Sequence, residues 1–171
     1  THLKLDRDSM KKIKGPAIFL AQFISNEAPF NNFKDICRWA GELGYKAIQL
    51  PTSNTEIFDL EKAAQSQEYC DEVTSIAKQA GLTISELSTH LQGQLVAVHP
   101  AYDVAFDSFA PEVLRGKPAA RQEWATKQVK LAAHASRNLG INRSVSFPGA
   151  LVWPYMYPWP QRPAGLVEEG F

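Results

Sequence analysis

Apolar and polar positions repeat one pattern three times along this chain. Phe33, Ile36, Cys37, Ala40 and Leu43 fall at helical spacing and make a single apolar stripe. Gly44 follows the last of them, where a left-handed residue commonly ends a helix. Ala47-Ile48-Gln49-Leu50 is then a short, mostly apolar run that Pro51 closes. Ser75 to Thr89 repeats the pattern, with Gly81 as the stop and Leu82 to Ser88 as the strand. Val129 to Phe147 repeats it again, with Gly140 as the stop and Arg143 to Phe147 as the strand. A recurring helix–glycine–strand unit predicts an α/β protein with parallel strands.

The remaining segments extend this frame. Residues 1–15 are polar and basic and read as an N-terminal arm, which leaves 16–171 as the domain. Ala17 to Phe23, AIFLAQF, has strand length without strict alternation, as expected of a strand covered on both faces. A helix is predicted from Glu61 or Gln65 to Ala80. The connection 90–117 far exceeds the usual strand–helix link of about two to six residues and reads as an insertion, a lid or binding loop. Pro118 suits the first turn of a helix that the apolar positions carry to Leu139. Pro148 to Pro163 is too rich in proline for a helix. Ala164 to Phe171 reads as the opening of another, with Glu168 and Glu169 near the positive end of its dipole.

An eight-unit barrel takes about 250 residues. The expected fold is therefore a parallel (β/α)4 portion, the first half of a (β/α)8 TIM barrel. A self-contained open sheet is the rival, but residues 21–33, after the first strand, hold no glycine for a phosphate loop. A half-barrel has two open strand edges and an unopposed interior wall, with Phe19, Leu50 or Leu87 as candidates to line it. It is expected to need its C-terminal half-barrel, a second copy of itself or a separate partner chain to close.

Composition narrows the partners. The 171 residues are 44% apolar and 21% charged, which suits one ordinary globular domain. Eighteen basic side chains cancel eighteen acidic ones, so charge makes no case for nucleic acid or a membrane surface. Cys37 and Cys70 lack metal-ligand spacing and read as plain thiols of a reducing compartment. The N-terminus has no apolar secretion core, and no apolar run reaches membrane-helix length. A soluble, cytoplasmic protein is expected.

STHLQGQLVAVHPAYD (88–103), FPGALVWPYMYPWPQRPAG (147–165) and the AIQLP strand resemble the sugar phosphate isomerase/epimerase family of the xylose-isomerase-like barrel superfamily. The resemblance runs from about Ala17 to the last residue. It implies a full-length (β/α)8 enzyme with a divalent metal (Mn, Mg, Zn or Co) at the C-terminal end of the strands. It further implies a small sugar or polyol substrate and proton transfer next to its carbonyl. Family members carry their metal ligands mostly on later strands, so no metal ligand is expected in this chain, which supplies the substrate-binding half. An inosose-type polyol dehydratase and a catalytically silent half-barrel acting as a binding or assembly module are the alternatives.

His90 is the catalytic candidate, just past the third strand, where such barrels place their sites; the alternative is a histidine that anchors the long loop. Gln49 alternates with Ile48 and Leu50 and so faces the other way, where its amide can hold a hydroxyl or a barrel-internal bond. Gln22 has a weaker version of that case. Glu86, in the third strand, reads as a base or as a paired structural carboxylate. Trp153 and Tyr155, with Tyr157 and Trp159, offer aromatic faces for a sugar wall or for packing. His99 beside Pro100 reads as structural, and His134 lies mid-helix among alanines. No Gly-x-Ser-x-Gly or partnered cysteine points to nucleophilic catalysis.

Overall fold

A computed structural model describes residues 14–151; most of the N-terminal arm and residues 152–171 lie outside the described residues. Four strands, β1 (Ala17–Phe19), β2 (Ala47–Pro51), β3 (Thr83–Ser88) and β4 (Ser144–Val145), pair in chain order and all in parallel. Between them run α1 (Phe33–Glu42), α2 (Leu60–Gln65), α3 (Gln67–Gln79), α4 (His90–Gln94), α5 (Asp103–Phe106) and α6 (Pro118–Asn138). The α/β class with a parallel sheet agrees with the hydrophobic pattern. Among the described residues, no helix is long and apolar enough to cross a membrane.

The three repeats share one physical device. Gly44, Gly81 and Gly140 sit at φ 88°, 74° and 68°, in the left-handed region. Each donates to the carbonyl three residues back: Gly41 at 2.9 Å, Lys78 at 2.9 Å and Arg137 at 3.1 Å. The residue after each glycine reaches five back: Tyr45 to Ala40 at 3.2 Å, Leu82 to Ala77 at 2.9 Å and Ile141 to Ser136 at 2.9 Å. This paired bonding is the Schellman ending, which satisfies the last helical carbonyls and turns the chain toward the next strand.

One face of the sheet carries the main core. Ile18, Ile48, Leu50, Ile84 and Leu87 pack with Ile36, Cys37 and Ala40 of α1, Val73 and Ala77 of α3, and Ala132 and Ala135 of α6. Burying each of the larger apolar side chains contributes roughly 1.5–3 kcal/mol. Leu50 and Leu87 are 0% exposed in this cluster. Of the three residues expected to line the barrel interior, these two instead lie under the helices. Only Phe19, half-buried, is on the opposite face with Gln49 and Glu86.

A bulge in β3 explains part of this. Ile48 pairs with Ile84, but Gln49 pairs with Glu86, so Ser85 is an extra residue in the ladder. Strict alternation would place Ile84 and Leu87 on opposite faces. The bulge returns both to the core and leaves Glu86 beside Gln49. The Ser85 hydroxyl donates to the Ile48 carbonyl at 3.0 Å, tying the bulged residue back to β2. Ser85→Ala is expected to cost about 1 kcal/mol, read as a drop in urea midpoint; an unchanged midpoint would remove this role.

Other boundaries differ from the pattern for local reasons. The predicted strand 17–23 ends at Phe19, because Phe23 N–H turns back onto Leu20 O at 3.0 Å. The predicted strand 143–147 keeps only Ser144 and Val145; beyond them Gly149 N–H bonds Gly93 O at 3.0 Å, drawing the chain toward α4. The single helix predicted over 61–80 is two, α2 and α3, broken at Ser66. Ser66 is extended (φ −123°, ψ 115°), and its Oγ accepts from Tyr69 N–H at 3.1 Å, a cap that competes with continuing the helix.

The insertion 90–117 is built rather than loose. It holds α4, α5 and three single 3-10 turns, with its own core of Leu95, Tyr102, Phe106 and Ala110 against Ala125 of α6. Arg121, 1% exposed, fastens it: its guanidinium donates to Asp103 O at 2.9 Å and Asp107 Oδ1 at 2.6 Å, and it pairs with the Asp103 carboxylate. Gly116 N–H donates to the other Asp107 oxygen at 2.9 Å.

Candidate active site at the strand ends

The parallel register sets three side chains in a row across the face away from the main core. Phe19 is opposite Gln49, and Gln49 is opposite Glu86. Gln49 Nε2 donates to Glu86 Oε1 at 2.8 Å. Both side chains are half-buried, so the bond orients the carboxylate without removing it from reach of solvent. Oε2 has no hydrogen bond among the described residues. The two sequence candidates are thus brought together as one pair.

His90 stands over this row. It is the first residue of α4, two past the end of β3, and Ser88 Oγ hydrogen-bonds its Nδ1. The Phe19 ring lies 5.0 Å away at 30°, and the Phe147 ring meets it edge-on at 4.3 Å. Burial between these rings pushes the imidazole below its ordinary pKa, which keeps it neutral at pH 7. A neutral ring can accept from or donate to a hydroxyl, but it supplies no fixed positive charge.

A second set of polar groups ties the strand ends together. Thr52, just past β2, bonds Ser88 O through its N–H at 3.0 Å and its Oγ1 at 2.9 Å. Gln92 of α4 donates to Thr52 O at 3.0 Å and to Thr52 Oγ1 at 3.1 Å. All of these are buried, so an ordered network fixes α4, and with it His90, over β2 and β3. Ser88, Thr52 and Gln92 were not singled out by sequence reasoning. Their polar character alone marks nothing until the fold buries them.

Two glycines let the loops after β3 and β4 close on each other. A Cβ on Gly93 would collide with Ser146 Oγ and come within 2.9 Å of Phe147 O. On Gly149 it would meet the carbonyls of Gln94 and Ala97, both at 2.5 Å. This approach delivers Phe147 to His90.

Other candidates lie elsewhere. Gln22 is exposed in the turn after β1 and is hydrogen-bonded to none of these groups. Trp153 and Tyr155, with Tyr157 and Trp159, lie outside the described residues. His99 Nδ1 accepts from Ala101 N–H at 3.2 Å and so caps a 3-10 turn of the insertion. His134 is exposed on α6. Cys37 and Cys70 are buried free thiols; burial pushes Cys37 up to about 12 and Cys70 upward as well, so neither is a nucleophile at neutral pH. Among the described residues, no group of three His, Cys, Asp or Glu is placed to hold a metal ion.

The Gln49–Glu86–His90 cluster therefore offers an oriented carboxylate, a neutral imidazole and two aromatic walls. No family model and no curated protein matches this chain.

Proposed function

We propose that this chain is the substrate-holding N-terminal half of a (β/α)8 barrel that isomerises or epimerises a sugar or sugar phosphate. The observation that carries the reading is the row Phe19–Gln49–Glu86 with His90 above it, at the C-terminal side of four parallel strands taken in chain order. That end of a parallel barrel is where such folds place their chemistry. In this reading Glu86, held by Gln49, accepts hydrogen bonds from substrate hydroxyls. His90 bonds the oxygen on the carbon being changed, stabilising it as negative charge develops next to the moving proton. Phe19 and Phe147 cover the apolar face of the sugar ring.

The divalent metal that the resemblance implies finds no three-ligand set among the described residues. A C-terminal half-barrel or a second copy supplies the opposing wall and the residues that move the proton. The test is a panel of ketoses, their phosphates and inososes offered to the full-length protein, with loss of water scored beside isomerisation. Isomerisation or epimerisation is expected. Dehydration of an inosose would reassign the site to a polyol dehydratase, and turnover of nothing on the panel would leave a binding module. His90→Ala is expected to lower kcat/KM by about 10²-fold, and an unchanged value would return His90 to a purely structural role.

A further inference from the structure

Ser88 ends β3 with its hydroxyl shut away from solvent. The residue is 2% exposed, and Thr52 holds its carbonyl through N–H at 3.0 Å and Oγ1 at 2.9 Å. The next residue is fixed too, since Thr89 N–H donates to Val145 O at 2.9 Å. Gln94 Nε2 in turn donates to His90 O at 2.8 Å. Among the described residues, Ser88 Oγ has one hydrogen-bond partner, His90 Nδ1. The two side chains are thus set against each other by backbone bonds that neither of them makes.

That contact decides where the imidazole carries its hydrogen. A neutral ring has one N–H and one bare nitrogen, and a serine hydroxyl has one hydrogen to give. With the ring hydrogen on Nδ1, Ser88 Oγ would accept it. The hydroxyl hydrogen would then be buried with no acceptor among the described residues, which is costly. With Nδ1 bare, the Ser88 hydroxyl donates to it and that donor is satisfied. The hydrogen bond made by one ring nitrogen sets the state of the other. Burial keeps the ring neutral at pH 7, so the alternatives are these two tautomers.

We propose that Ser88 is a positioning residue that holds His90 as the Nε2–H tautomer, so that His90 meets the substrate as a hydrogen-bond donor and not as a base. Nε2 has no hydrogen bond among the described residues, on a ring that stands between Phe19 and Phe147. The ligand atom it takes is an acceptor, a carbonyl oxygen or the alkoxide that develops from it. Glu86 Oε2 supplies the opposite polarity and takes hydroxyl hydrogens. The identity of the acceptor rests on the isomerase reading; the tautomer does not.

The experiment is two-bond ¹H–¹⁵N correlation NMR of the histidine rings in the intact protein at about pH 8, above the ordinary imidazole pKa. The expected spectrum shows His90 Nδ1 as a bare nitrogen and Nε2 as a protonated one. The Nε2–H form should be in excess by about tenfold or more, the factor that a lost buried hydrogen bond carries. Ser88→Ala is expected to cut that excess by about fivefold or more, moving both nitrogen signals toward the average of the two forms. Ser88→Cys keeps the size of the side chain but donates only weakly, and should shift them the same way if the alanine variant does not fold. A protonated Nδ1 in wild type would overturn the proposal. So would a folded variant whose His90 nitrogen signals match those of wild type. The readout needs no substrate, so its failure leaves the enzymatic reading to its own panel, and failure of that panel leaves the tautomer assignment standing.

Discussion

Replacing Arg121 with methionine is expected to lower the unfolding free energy by about 3 kcal/mol at pH 7, read as a shift in urea midpoint. Arg121 is 1% exposed, and its guanidinium holds Asp103 and Asp107 together with the Asp103 carbonyl. Removing one partner of a buried ion pair generally costs about 3–5 kcal/mol, because the other is left unpaired. Two features favour the low end. The aspartates keep 26% and 18% of their side-chain surface exposed, so water can take over part of the guanidinium's role. Methionine also fills much of the vacated volume without a desolvated charge. The difference should depend on pH in one direction. Burial alone would raise the Asp107 pKa, but the Gly116 N–H and Arg121, with Arg115 nearby, hold it below its ordinary value. A carboxyl with a depressed folded pKa contributes stability above its unfolded pKa and loses it as pH falls through the folded one. The gap between wild type and Arg121→Met is therefore full at neutral pH and closes below about pH 4. A gap under 1 kcal/mol, or one that persists unchanged into acid, would show that the pair does not hold the insertion in place.

What the sequence made legible follows from the range of the forces involved. The three helix–glycine–strand units are local: each needs only a stripe, a left-handed residue and a short apolar run, and all three were readable at Gly44, Gly81 and Gly140. The parallel order of the strands followed from them. The orientation of Gln49 was readable from alternation. The bulge at Ser85 was not, because it exists only through pairing with Ile48, and it is what sends Leu87 under the helices. The split at Ser66 turns on a choice between two hydrogen-bonding solutions that differ by little. The insertion looked like a loop because its small core closes on Ala125 of α6 and is fastened by Arg121, a basic residue with no local reason to be buried. At the site, His90, Gln49 and Glu86 stood out as polar groups at strand ends. Phe147 did not, since it reaches His90 only through the approach of two glycine-containing loops distant in sequence.

That approach predicts a large effect from a small change. Gly93→Ala is expected to destabilise the protein by about 1–3 kcal/mol and to move His90 toward an ordinary imidazole pKa of about 6.5. A methyl on Gly93 meets Ser146 Oγ and lies 2.9 Å from Phe147 O, so the segment after β4 must retreat and take the Phe147 ring with it. His90 then loses one of the two rings that keep water from it, and burial is the cause of its lowered pKa. The sign of the pH effect follows. In wild type the folded state resists protonation of His90, so stability declines as pH falls through the unfolded value near 6.5 toward the lower folded one. In the variant that slope flattens. Phe147→Ala separates the ring from the backbone clash. Phe147 is 52% exposed, so its removal should cost little stability while raising the His90 pKa in the same direction. The measurement is an NMR titration of the His90 imidazole C–H signals in wild type and both variants. A folded Gly93→Ala protein whose His90 titrates as in wild type would show that the two glycines pack the loops without governing the histidine.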